Sequence, residues 1–99
     1  MTLTEMQNQA YANKVAKGFN VTDVSYEFCH IYGEMAEAFE AWRKKKDDLG
    51  EELADVMIYL LGISEIVGVN LEDEVMRKLL KNKNREYERV DGVLRKKEG

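Results

Sequence analysis

Apolar residues recur three and four positions apart through most of this chain, and no stretch alternates with the period of a strand. That pattern predicts four amphipathic helices. The first covers Leu3 to Lys17, with Thr2 or Thr4 as its cap and Gly18 as its stop. The second starts after Asn20-Val21-Thr22, with Thr22 as N-cap, and reaches about Lys45. The third runs from near Gly50 to just before Gly68. The fourth starts at Asn70, an N-cap with Asp73 three residues on, and reaches about Val90. The tail from Asp91 to Gly99 is charged and expected to fray. Short connections between the helices predict antiparallel neighbours.

Two helices have informative faces. On the second, Phe28, Ile31, Met35, Ala38, Phe39 and Trp42 fall on one side at about 100° per residue, which predicts a core stripe. On the third, Val56 to Ile63 carries no charge on any side. A helix apolar all round is buried all round, so sister helices or a partner subunit must enclose it.

At 99 residues, the expectation is one domain over positions 1–99, all-α and of four-helix-bundle type. A chain this short buries only about 60–65% of its unfolded surface, so an oligomer is expected to complete the core. The net charge of −4 argues against binding nucleic acid polymers. Leader and membrane-spanning patterns are both missing, which points to a cytoplasmic protein with no membrane partner. Cys29 is the single cysteine and cannot form an internal disulfide.

Carboxylates carry the chemistry. Glu34 and Glu37 lie three apart on the second helix, and Glu52 and Asp55 lie three apart on the third. Each pair therefore shares one face, about one turn apart. A single such pair in an acidic helical protein is most often a solvated face. Here a turn separates the two pairs, so an antiparallel hairpin brings them face to face. Four converging carboxylates repel one another unless a divalent cation lies between them, and all-oxygen ligands suit Mg2+ or Mn2+. Downstream, Lys78, Asn82 and Arg85 are four and three apart, so a continuous helix would place them within about 60° of each other. Such a face suits phosphate, although a plain basic stripe is the blander alternative. Tyr59 shares a face with Glu52 and Asp55, where an aromatic ring can stack on a base or simply fill the core. Glu27 and His30 form E-x-x-H, but one histidine cannot make a two-metal site within one chain; a partly exposed or core histidine near the acidic pairs is expected.

The stretches G-E-M-A-E-A-F-E-A-W (Gly33 to Trp42), E-E-L-A-D-V-M-I-Y-L (Glu51 to Leu60) and K-L-L-K-N-K-N-R-E-Y (Lys78 to Tyr87) occur in that order. Together they resemble the MazG-like nucleoside triphosphate pyrophosphohydrolases, and their dCTP pyrophosphatase-like branch in particular. The likeness covers roughly Thr22 to Tyr87. Gly33 stands where many members carry the first of two adjacent glutamates. The resemblance implies an all-α, Mg2+-dependent enzyme that cleaves nucleoside triphosphates to monophosphate and pyrophosphate, in a house-cleaning role. Carried over position by position, it implies Glu34, Glu37, Glu52 and Asp55 as metal ligands and catalytic groups. It also implies Tyr59 beside the base, and a homodimer or homotetramer. A non-catalytic helical dimer or regulator that kept the fold is the alternative from another class. Phosphoribosyl-ATP pyrophosphohydrolase is a second enzymatic one.

Overall fold

The computed structural model describes residues 1–97. It consists of α1 (Leu3–Lys17), α2 (Val24–Arg43), α3 (Leu49–Ile66), α4 (Leu71–Asn84) and a small antiparallel hairpin of β1 (Tyr87–Val90) and β2 (Val93–Lys96). The fold is all-α apart from that hairpin. No helix among the described residues is long and apolar enough to cross a membrane.

The helix ends follow local hydrogen bonding. Thr2 caps α1 through a reciprocal box with Glu5, and Gly18 ends it with φ 72°, a left-handed conformation that suits glycine. Asn70 caps α4 by accepting from the Asp73 N–H. The α2 cap is Asp23, not the expected Thr22: its carboxylate accepts the Tyr26 N–H at 3.1 Å. Thr22 is held one step earlier by Asn20, whose side-chain oxygen accepts from the Thr22 and Asp23 N–H groups.

The fourth helix is shorter than its periodicity predicts. It stops at Asn84, and Arg85 is extended with ψ 132°. The stretch expected to be helical up to Val90 and frayed from Asp91 forms the hairpin instead, and Val90 pairs with Val93. Asp91 and Gly92 both have positive φ, at 53° and 79°. A two-residue hairpin loop needs that conformation, and an Asp-Gly pair supplies it at low cost. The Asp-Gly signal is present in the sequence, with Val on both sides. The last two positions of the expected tail, 98 and 99, lie outside the described residues.

Packing is centred on α3, which lies against α2 on one side and α1 on the other. α4 makes its substantial helix contacts with α1 alone, and it is tied there at its beginning, where Glu72 accepts from the Thr4 N–H. The α2 face turned toward the interior carries Glu27, Ile31, Glu34, Ala38 and Ala41. This differs from the predicted core stripe. Ala38 is buried, but Phe28, Met35, Phe39 and Trp42 stand 41–63% exposed in the single chain. The two alanines let α3 approach α2 closely, and the aromatic face is turned outward. The third helix is likewise enclosed only at Leu61–Ser64, while Leu53 and Ile58 are each about half exposed at 52% and 53%.

Candidate metal centre

On α2, Glu34 is half-buried and Glu37 is exposed; on α3, Glu52 and Asp55 are both half-buried. Each offset of three residues advances about 300° around a helix, so both members of a pair keep to one side. The antiparallel α2–α3 hairpin then sets the pairs opposite each other. Glu34, Glu37 and Glu52 each present one oxygen within 4.8 Å of the other two. Asp55, one turn along α3, stands outside that tight trio but close enough for its charge to act on Glu34 and Glu52.

The electrostatics match this crowding. Burial, reinforced by the Glu37 and Asp55 charges, raises the pKa of Glu34 above its ordinary 4.5, and a hydrogen bond with the Glu37 carboxyl pushes the same way. His30 works weakly against the rise. Burial also raises Glu52, with Glu37, Asp48, Asp55 and Glu34 adding repulsion. One oxygen of Glu52, Oε2, is buried with no hydrogen-bond partner. A buried, unpaired carboxylate oxygen is costly. Oxygens bound to one Mg2+ or Ca2+ at about 2.0–2.6 Å stand up to roughly 4–5 Å apart. The trio is therefore of the right chemistry and spacing for a hard divalent cation, which would offset the cost of the unpaired Glu52 carboxylate.

Two of the trio, Glu37 and Glu52, border a hollow of about 360 Å³ that is also lined by Glu40, Lys46 and Asp48, among others. Lys46, on the α2–α3 connection, adds a basic residue to a lining made otherwise of alanines and carboxylates. Nothing in the helical periodicity marks it out, because it belongs to a loop.

Tyr59 lies on the same side of α3, half-buried. Its ring is parallel to that of His30, with centroids 6.0 Å apart, and His30 is tilted against Tyr26 at 4.4 Å. Burial first, then the Glu34 charge, raises its hydroxyl pKa above 10.0. His30 is thus an exposed histidine beside the acidic group. Its E-x-x-H partner Glu27 is turned elsewhere, into an ion pair with Lys14 on α1.

Lys78, Asn82 and Arg85 are not brought to the carboxylates within this chain. α4 has no substantial packing against α2 or α3. Lys78 and Asn82 are exposed along α4, and Arg85 lies past its end, in extended backbone, so the three do not form one helical face.

A family model, the MazG nucleotide pyrophosphohydrolase domain, matches residues 28–90, which is more than half of the chain and spans all four carboxylates. The chain belongs to the MazG nucleotide pyrophosphohydrolase family. No curated protein and no solved structure matches it significantly. Membership places the chain among hydrolases acting on nucleotide pyrophosphate bonds. The family is typically metal-dependent, and the acidic trio agrees with that habit. The match begins at Phe28, so α1 and Glu27 lie outside it.

Proposed function

We propose that this MazG protein hydrolyses nucleoside or deoxynucleoside triphosphates to the monophosphate and pyrophosphate, with Mg2+ or Mn2+ held by Glu34, Glu37 and Glu52 and with Asp55 completing the set. The reading is carried by one observation: carboxylates from two helices, Glu34 and Glu37 on one and Glu52 on the other, converge within 4.8 Å of one another, and Glu52 has a buried oxygen with no hydrogen-bond partner. Bound there, a divalent ion supplies positive charge against the polyphosphate and activates water. The protein's own part is positioning. The α2–α3 hairpin holds the carboxylates in place before substrate arrives. Water adds to the α-phosphorus and releases a proton, the bond from that phosphorus to the bridging oxygen breaks, and pyrophosphate leaves. Tyr59 faces the nucleoside end. A house-cleaning role, removing surplus or modified nucleotides, is what the family likeness implies.

The phosphate-binding trio Lys78, Asn82 and Arg85 belongs to this reading only in a homo-oligomer, where α4 of one protomer reaches the carboxylates of another. Two features support an oligomer. The radius of gyration is 17.1 Å, against about 13 Å for a compact chain of this length. The aromatic face of α2 and the apolar flank of α3 are both uncovered in the single chain. A homodimer is the minimum and a homotetramer fits equally.

The test is a panel of unmodified and modified dNTPs and NTPs with Mg2+, scored for pyrophosphate and monophosphate. Pyrophosphate release from at least one member is expected. Hydrolysis to a diphosphate and orthophosphate would overturn the reading.

A further inference from the structure

Glu27 is 2% exposed, the most deeply buried large side chain among the described residues, and it is ionisable. It lies one turn into α2, and two donors reach it. Lys14 from α1 forms an ion pair with Oε1, and Asn20 in the α1–α2 connection donates to Oε2 at 3.3 Å. A buried carboxylate is tolerated when paired and hydrogen-bonded in this way. The pairing has a consequence on α3. The Lys14 ammonium lies 5.6 Å from the centre of the Tyr59 ring, within cation–π range. The Lys14 stem crosses α3 at Gly62, where an added Cβ would stand 3.2 Å from Lys14 Cδ. Three helices therefore meet through one side chain: α1 supplies it, α2 anchors its charge, and α3 offers the notch that admits it and the ring that it covers.

We propose that Lys14, anchored by Glu27 and admitted by Gly62, is a positioning residue that holds the Tyr59 ring ready for the nucleoside end of the substrate. This rests on the reading of Tyr59 given above. A ring bounded by Lys14 and by parallel His30 has less freedom to lose when a base stacks on it, so affinity rises through preorganisation. Lys14 itself touches neither the acidic trio nor a phosphate in this arrangement. Its loss should weaken nucleoside recognition and leave the phosphate end alone.

The experiment compares wild type, Lys14→Met and Lys14→Met/Glu27→Gln. The double variant leaves no unpaired buried charge. Two probes are titrated by calorimetry in Mg2+: a non-hydrolysable α,β-methylene deoxynucleoside triphosphate and inorganic tripolyphosphate. KM and kcat are measured in parallel. In a folded variant, nucleotide affinity should fall about three- to tenfold with a matching rise in KM. Tripolyphosphate affinity and kcat should stay within about twofold. In a Tyr59→Leu background the same Lys14 change should move nothing further. Equal loss for both probes means a merely structural role and overturns the proposal, as does a KM shift that persists without Tyr59. Should both Lys14 variants fail to fold, Gly62→Ala decides: it keeps both charges and displaces only the Lys14 stem, and an unchanged nucleotide affinity there overturns the proposal. A wild-type protein that hydrolyses no triphosphate defeats the broader function instead, so the two failures are told apart.

Discussion

The backbone N–H of Leu71 donates to the side-chain oxygen of Gln7 at 3.1 Å, across 64 residues of sequence. Gln7 is 3% exposed, and its amide nitrogen donates to Glu65 Oε2 at 2.9 Å and to the Val69 carbonyl at 2.7 Å. One side chain thus satisfies the corner between α3 and α4 and fastens it to α1. Gln7→Ala removes the partners of the part-buried Leu71 N–H and Val69 carbonyl, so we expect a loss of about 2 kcal/mol. That corresponds to a melting temperature lowered by roughly 10 °C for a domain of this size. An unchanged melting curve would show that the corner holds itself.

Metal removal provides the second prediction. Chelation with EDTA should abolish turnover, and Mg2+ should restore it. Glu37→Gln and Asp55→Asn should each lower kcat by roughly two orders of magnitude with the fold retained. Full activity in a rigorously metal-free preparation would refute the metal centre.

A pH dependence follows from the raised carboxyls. Glu34 and Glu52 ionise above 4.5 in the folded chain. Between that value and their raised ones, the folded state binds more protons than the unfolded state. Their contribution to stability therefore falls as pH rises through the window. A divalent cation needs both groups ionised, so its stabilising effect grows over the same window. The Mg2+-induced rise in melting temperature should be small near pH 4.5 and larger at about pH 7. In a Glu34→Gln/Glu52→Gln variant it should be flat across that range.

Arg85 tests the phosphate end. Arg85→Ala should raise KM for a triphosphate or lower kcat, while melting stays near wild type because the side chain lies past the end of α4. If the trio acts across an interface, mixing Arg85→Ala with Glu37→Gln protomers should recover part of the activity that each lacks alone. No recovery on mixing, under conditions where protomers exchange, would confine each site to one chain.

The uncovered apolar faces predict association. Phe39, Trp42, Leu53 and Ile58 are each more than half exposed in the single chain. Leaving such surface wet costs about 25 cal/mol per Å², a large burden for a domain with only about 5–15 kcal/mol of stability. Sedimentation at low micromolar concentration should give at least twice the 11.5 kDa chain mass, and Phe39→Glu should shift it toward monomer. A stable, folded monomer for the wild type is the contrary result.

The sequence by itself determined the features that arise within a few residues. The Thr2 cap, the Gly18 stop and the Asn70 cap depend on neighbouring N–H and carbonyl groups, so they are legible one turn at a time. The Asp91-Gly92 loop is equally local, but the helical period running up to it masks its message. The spacing of three that puts Glu34 with Glu37, and Glu52 with Asp55, is likewise a property of one helix. Tertiary structure decided which side of each helix meets which neighbour. Hydrophobic period marks Phe28, Met35, Phe39 and Trp42 as a face, but it cannot say whether a sister helix covers that face. Ala38 and Ala41 win the contact with α3 because small side chains allow close approach. That choice brings Glu34, Glu37 and Glu52 together and leaves Asp55 beside the trio rather than within it. The Lys14–Glu27 pair is wholly a product of tertiary structure. An ion pair between two helices has no period to reveal it, and only the packing of α1 and α2 against α3 brings those charges together.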